Sequence, residues 1–312
     1  MMRNNRIDWL VLLAALGVVA IHAPVYCKVS SFAKEFAAQG FCGIAVYLFF
    51  IVSGFFLAKH MGETGWWKRS VVTRVRSLLV PYLIWCSVYA LLQFALGERD
   101  VGIVRILGLN PATMPYFYPF WFVRNLFILV LISPALAITV KNRVGGLVLL
   151  GLAVLSLGAS LDAHLIPAGI LINSVFYFYV GLVLRLKSIR LKLPLWISIV
   201  LILTSLGLFA LQAWNRTALD SFMLHYLPLA GVGAWSLMVG LWGVMPNRAI
   251  PKVLEGVTFQ IYALHVFLLM AIAPWVKSAS LTVVFTFAGC VAIAHVLKRF
   301  APRVAGGIFG GR

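Results

Sequence analysis

The 312 residues are 62% hydrophobic and 11% charged, with a mean hydropathy of +1.00, whereas a soluble domain carries about 25% charged side chains; this chain cannot cover a water-facing surface. Its net charge of +18, from 26 Lys and Arg against 8 Asp and Glu, would point a soluble protein toward nucleic acid. Here the cations fall in short stretches between apolar runs, which is the pattern of topology signals and anionic-lipid contact, so nucleic acid is set aside.

A membrane-spanning helix needs about 20 mostly apolar residues. Residues 1–23 have the basic start and apolar core of a signal peptide, but the run continues to Tyr26 without a convincing small-residue cleavage site, so it reads as a retained first helix. In chain order the predicted helices are 8–26, 41–59, 78–96, 121–140, the short 145–160, 170–186, 193–213, 226–245, 258–276 and 281–297. With the N-terminus inside, the inner segments hold 18 of the Lys and Arg residues and the outer loops 6, with Lys59 and Arg124 inside helices. That bias supports the division and the orientation. The expectation is an all-α, polytopic membrane bundle of about ten helices, a single domain over 1–312, with both termini cytoplasmic. The longest outer loop, 97–120, carries Pro111, Pro115 and Pro119 among Tyr116, Phe117, Tyr118 and Phe120; its aromatics are expected at the membrane surface. The cysteines Cys27, Cys42, Cys86 and Cys290 have no zinc or haem spacing. They read as free apolar thiols, with a Cys27–Cys42 disulfide as the alternative, and no metal is expected.

Polar groups inside a membrane are expensive and usually functional. His22 lies fourteen residues after Asp8 on one apolar run, a rise of about 21 Å, which places it in the outer half of the membrane. An imidazole there could act as a general base, or simply close a helix end on a carbonyl. Asp8 suits a helix N-terminus through the dipole and a cap, and is carried beside His22 as a catalytic candidate. Phe49, Phe50, Ser53 and Gly54 form an aromatic Ser-Gly stretch that permits close helix approach or a narrow ligand beside the backbone. Lys68, Arg69, Arg74 and Arg76 cluster just before the third helix, where they would bind phosphate or serve topology and lipid headgroups. Trp121 and Arg124 begin the fourth helix, and Arg124 either snorkels or binds an anion or sugar oxygen. Tyr262 and His265 lie in the ninth, with His265 near the inner third or the middle of the membrane and in need of a partner. His60, His164, His225 and His295 fall at helix ends or loops and read as ordinary.

With these residues in place the chain resembles the membrane-bound acyltransferase-3 family, bacterial enzymes that O-acylate surface polysaccharides, usually from acetyl-CoA. The likeness runs from Ile7-Asp8 through Val18-Val19-Ala20-Ile21 to His22, and on through Phe49-Phe50-Ile51-Val52-Ser53-Gly54. It continues with the basic run ending at Arg74 and Arg76 before Leu78-Leu79-Val80-Pro81-Tyr82. Phe120-Trp121-Phe122-Val123-Arg124-Asn125 reaching Ser133-Pro134, Tyr177-Phe178-Tyr179-Val180-Gly181 and Ile261-Tyr262-Ala263-Leu264-His265 complete it. The resemblance implies His22 as the base, Phe49, Phe50, Ser53 and Gly54 shaping a channel, and Arg69, Arg74 and Arg76 holding the phosphates of acetyl-CoA, which Lys68 of the same basic cluster would join. Trp121, Arg124, Tyr262 and His265 are the substrate-binding candidates, and the last three also candidate oxyanion donors. The implied partners are membrane lipids, a polysaccharide or lipid-linked sugar acceptor and glycan-assembly proteins, at a bacterial plasma membrane. One departure stands out: the family's arginine eleven residues before the histidine is Val11 here. The competing classes are a polysaccharide-precursor transporter or flippase, for which the inverted repeats expected of such proteins are not seen, and a non-catalytic partner in glycan assembly.

Overall fold

In the computed structural model, which describes residues 5–97, 117–142, 144–159, 166–218 and 227–311, every regular element is helical. Long apolar runs favour this outcome, because a helix satisfies its own N–H and C=O groups where water is absent. The helices are α1 (Asn5–Tyr26), α2 (Ile44–Ala58), α3 (Trp66–Ala95), α4 (Trp121–Lys141), α5 (Gly145–Ala159) and α6 (Ile166–Leu186), followed by α7 (Leu195–Ala218), α8 (Leu227–Val244), α9 (Thr258–Ile272), α10 (Ala279–Phe300) and α11 (Pro302–Ile308). Each predicted apolar segment coincides with one of α1–α10. Among the described residues five helices are long and apolar enough to cross a membrane: Asn5–Tyr26, Trp66–Ala95, Tyr118–Lys141, Leu195–Asn215 and Ala279–Phe300. The chain is therefore a multi-pass membrane protein.

Two differences from the sequence reading have physical causes. The basic stretch expected to precede the third helix is itself helical, so α3 begins at Trp66 and runs through it. A π-helical turn, Val75–Leu79, lies just ahead of Pro81, whose missing N–H breaks the regular ladder and is accommodated by a local change of register. A second π-helical segment, Lys34–Phe41, follows a turn capped by the Ser30 side chain, whose Oγ accepts the Ala33 N–H at 3.2 Å; this one was not foreseen.

The helices group into two compact units, Met1–Phe49 with Arg190–Leu297, and Phe50–Ile189 with Lys298–Arg312, the divisions falling inside α2 and α10. In the first unit α1 packs along α9 and onto the π-helical segment, and α7 pairs with α8. Trp9 Nε1 donates to the Arg248 carbonyl at 2.9 Å and Trp242 Nε1 to that of Leu191 at 3.0 Å, tying helix ends to the connecting loops. His295 bonds the Val253 carbonyl at 2.6 Å, the ordinary role expected of it; His164 and His225 lie outside the described residues.

In the second unit α4 and α5 both pack on α6. Tyr179 of α6 joins them through its hydroxyl, 3.0 Å from Thr139 Oγ1 and 3.3 Å from the Gly145 carbonyl, which accepts from it. The chain's last residues cover the π-helical turn of α3. Trp85 Nε1 donates to the Ile308 carbonyl at 2.9 Å and stacks on Phe309. Gly310, at φ +68°, lies so close that a Cβ would stand 2.5 Å from the Ser77 Cα, so only glycine serves there. The aromatic loop expected at the membrane surface lies mostly outside the described residues. Phe117 and Phe120, from its end, are fully buried, with Phe117 against Tyr89 and Phe120 against Tyr82, while Tyr118 is exposed.

Candidate active site

The first unit brings two histidines together. α1 carries His22 in its last turn, and α9 carries His265 at mid-length; because the two helices pack along one another, the imidazole centroids stand 5.0 Å apart with planes tilted by 39°. The sequence reading set these residues at different depths, yet they share one level. The loop before α9 is bonded to the first turns of α1 through Asn247 and Arg248. Tyr262 lies one turn from His265, ring centroids 6.0 Å apart, and both are buried.

The tautomer of His265 follows from its partner. Its Nδ1 lies 2.6 Å from the Tyr262 carbonyl, and a carbonyl only accepts, so Nδ1 is the donor and Nε2 of the neutral ring is a bare acceptor. That Nε2 has no hydrogen-bond partner among the described residues, and the residue is 0% exposed. A neutral His265 therefore cannot donate to an oxyanion through Nε2, which removes it from the oxyanion donors suggested by sequence. Pro24 sits inside the final turn of α1; lacking an N–H, it deprives the Ala20 carbonyl of its helical donor beside His22. Asp8 does not join the pair. It stands fourteen residues away on the same unbroken helix, about 21 Å along the axis, in the first turn where a carboxylate meets the positive end of the dipole.

In the second unit the Ser-Gly stretch of α2 meets α6 backbone to backbone. A Cβ on Gly54 would collide with the Phe178 carbonyl, and one on Gly181 with the Ile51 carbonyl, with the Phe55 nitrogen at 2.8 Å. The two glycines thus form a reciprocal crossing of the small-residue type. Phe50, also buried, packs its ring against Phe122 at 4.7 Å and Trp121 at 6.1 Å. Phe49 and Ser53 are half-buried. Arg124 is half-buried on α4, its Nε 3.4 Å from Asn125 Oδ1, and Asn125 donates in turn to Ser174 Oγ of α6 at 3.2 Å. Asn125 and Ser174, both buried, were not singled out from sequence. Only their polarity amid apolar residues marks them.

The four basic residues share the first half of α3, with Lys68, Arg69 and Arg76 exposed and Arg74 half-buried. Arg69 is already engaged: Nη2 lies 2.9 Å from Glu63 Oε2, and Nη1 donates to the Thr64 carbonyl at 2.6 Å. His60 Nδ1 holds the other Glu63 oxygen at 3.1 Å. The hydrogen bond from His60, followed by that from Arg69, keeps the Glu63 carboxyl below its ordinary value. Because this pKa is depressed, the pairing is present above the ordinary carboxylate range and is lost only as pH falls through the lowered value; at neutral pH Arg69 stays held.

The four cysteines are free, as expected, and among the described residues no cluster of His, Cys, Asp and Glu could hold a metal ion.

Residues 4–297 match the family described as "Acyltransferase domain". The chain is also similar to the succinoglycan biosynthesis protein ExoH of Rhizobium meliloti (strain 1021), 25% identical over 217 residues, which take in 61% of this chain and 56% of that protein. The match thus spans little more than half of the relative's length. No solved structure matches.

Proposed function

The chain belongs to the acyltransferase-3 family, and from that membership we propose that it transfers an acyl group, acetyl by preference, from acyl-CoA to a hydroxyl of an exported polysaccharide or of its lipid-linked precursor. The observation that carries the reading is the pairing of half-buried His22 on α1 with fully buried His265 on α9, within the span of the family match. The relative's naming for succinoglycan biosynthesis agrees with a polysaccharide acceptor.

The chemistry assigned to His22 is general-base catalysis. It removes the proton of the acceptor hydroxyl as the oxygen attacks the thioester carbonyl; the C–S bond breaks, and the departing sulfur of CoA takes that proton back. Such assistance is typically worth about 10²–10⁴-fold. Lys68, Arg74 and Arg76 hold the phosphates of the donor, joined by Arg69 once phosphate displaces Glu63. Trp121 and Arg124 contribute to substrate binding from α4, and Tyr262 from α9. Gly54 serves the site indirectly, by fixing α2 against α6. The ten apolar helices span a bacterial inner membrane with both termini in the cytoplasm, in keeping with the basic residues concentrated on that side.

The reading predicts that the exported polysaccharide of cells lacking this protein loses an ester-linked acyl group, measured by NMR, and regains it when the wild-type chain is restored. An unchanged acyl content would overturn the assignment. A second consequence concerns the donor. Glu63→Gln leaves Arg69 without its carboxylate, so the KM for acyl-CoA is expected to fall, by a few-fold at most because an exposed pair is weak, with kcat unchanged. A KM that rises would show that Arg69 needs Glu63 for its placement.

A further inference from the structure

The π-helical turn Val75–Leu79 lies in the middle of the proposed donor site: Arg74 caps it and Arg76 falls within it. A π turn takes in one residue more than a regular turn. If this one relaxed to α geometry, the stretch ahead of it, with Lys68, Arg69 and Arg74, would rotate by about 100° against the rest of α3, one residue's share of a helical turn. The setting of Arg74 relative to Arg76 and the body of α3 therefore depends on the turn being kept.

Resting on the function proposed above, we infer that residues 308–310 are a strap that holds this turn, with Phe309 and Gly310 the positioning residues for the arginines that bind the donor phosphates. Three observations converge. The strap is anchored on the regular part of α3, where Trp85 Nε1 donates to the Ile308 carbonyl at 2.9 Å and the Trp85 ring stacks on Phe309, centroids 6.2 Å apart. Phe309 is fully buried, and Ala305, one turn before it, is buried too, so the anchor is packed rather than grazing. From there the chain reaches the turn itself. The Gly310 backbone lies against the main chain of Ser77, where a Cβ would stand 2.5 Å from the Ser77 Cα and 2.7 Å from its carbonyl oxygen. Gly310 takes φ +68°, the left-handed conformation that ends α11, and the Gly311 N–H returns to the Gly306 carbonyl at 2.7 Å. α4 also packs on the turn, so loosening the strap shifts the arginines without unfolding α3. Neither Phe309 nor Gly310 touches the donor; their effect passes through Arg74 and Arg76.

The test compares Gly310→Ala with Gly307→Ala, a glycine of α11 whose Cβ would meet nothing within 4 Å, in purified protein in lipid. Each variant is read by hydrogen exchange of the amides of residues 75–79, by calorimetric binding of CoA, and by kinetics with acetyl-CoA and polysaccharide. In Gly310→Ala the turn exchanges faster. The Kd for CoA and the KM for acetyl-CoA both rise roughly 10-fold, the lower end of what one hydrogen bond to a charged group is worth, while kcat per folded molecule holds. Gly307→Ala matches the wild type in all three. Trp85→Phe keeps a ring on Phe309 and removes the N–H, so it gives the same pattern at a few-fold, the worth of a neutral hydrogen bond, and it decides alone should Gly310→Ala fail to fold. A merely structural role would lower the unfolding temperature and the folded fraction with KM unchanged. That result, a lowered kcat with KM kept, or a turn that exchanges as in the wild type would each overturn the assignment. If the turn loosens as expected but the wild-type protein binds no CoA, it is the functional reading that fails, and the donor role of the arginines goes with it.

Discussion

Replacing Gly54 or Gly181 with alanine is expected to remove most of the folded protein. Each added methyl group would meet main-chain atoms of the facing helix: the Phe178 carbonyl for Gly54, the Ile51 carbonyl and the Phe55 nitrogen for Gly181. Main-chain atoms inside a helix cannot swing aside as a side chain does, so α2 and α6 must separate along their length. Overpacking of a well-fitted interior costs typically about 1–3 kcal/mol, and a collision with backbone on both helices belongs at the upper end. The controls are in the same chain. A Cβ on Gly151 or Gly207 meets nothing within 4 Å, so alanine there is tolerated and favours the helix slightly, by up to about 1 kcal/mol. Thermal unfolding and size-exclusion of detergent-extracted protein separate the two pairs. If Gly181→Ala behaved like Gly151→Ala, the crossing would be wrong. Because the two glycines share one contact, the double variant should cost less than the sum of the singles.

His22→Ala should leave the fold intact and lower kcat by about 10²–10⁴-fold, the worth of a general base. His22 sits in the last turn of α1 and is only half-buried, so losing its ring removes little packing. The KM for acyl-CoA should hold, since the residues assigned to the donor phosphates lie on α3. Kinetics with purified protein in lipid, beside the unfolding temperature of the same preparation, check both parts. Full kcat in a folded His22→Ala would remove His22 from the chemistry.

Much of this architecture was legible in sequence, because hydropathy and charge are one-dimensional signals. Among the described residues each apolar run became a helix, with ends displaced by a few residues except at the start of α3. What was missed depends on contacts between distant segments. Nothing in the 258–276 window says where α9 begins relative to α1, so His265 was placed apart from His22; the packing of α9 along α1 sets that register only in three dimensions. Ser53-Gly54 was read both as a close helix approach and as room for a ligand, and sequence could not choose. The reciprocal Gly181 shows that α6 fills that side. The start of α3 was set too late because a basic stretch lowers hydropathy without breaking a helix. Arg69 looked like a free phosphate ligand until Glu63 and Thr64 were seen to hold it. Val11, where the resemblance implies an arginine, was plain in sequence, and nothing in the structure explains it.

The most direct test is the release of CoA thiol from acetyl-CoA by the purified protein in lipid, with and without exported polysaccharide, following the acyl group onto the glycan by mass. Release that depends on the polysaccharide, with one acyl group gained on the glycan per thiol, is the predicted result. No release with either acetyl or succinyl donors across several glycans would contradict acyl transfer and turn attention to transport or a partner role.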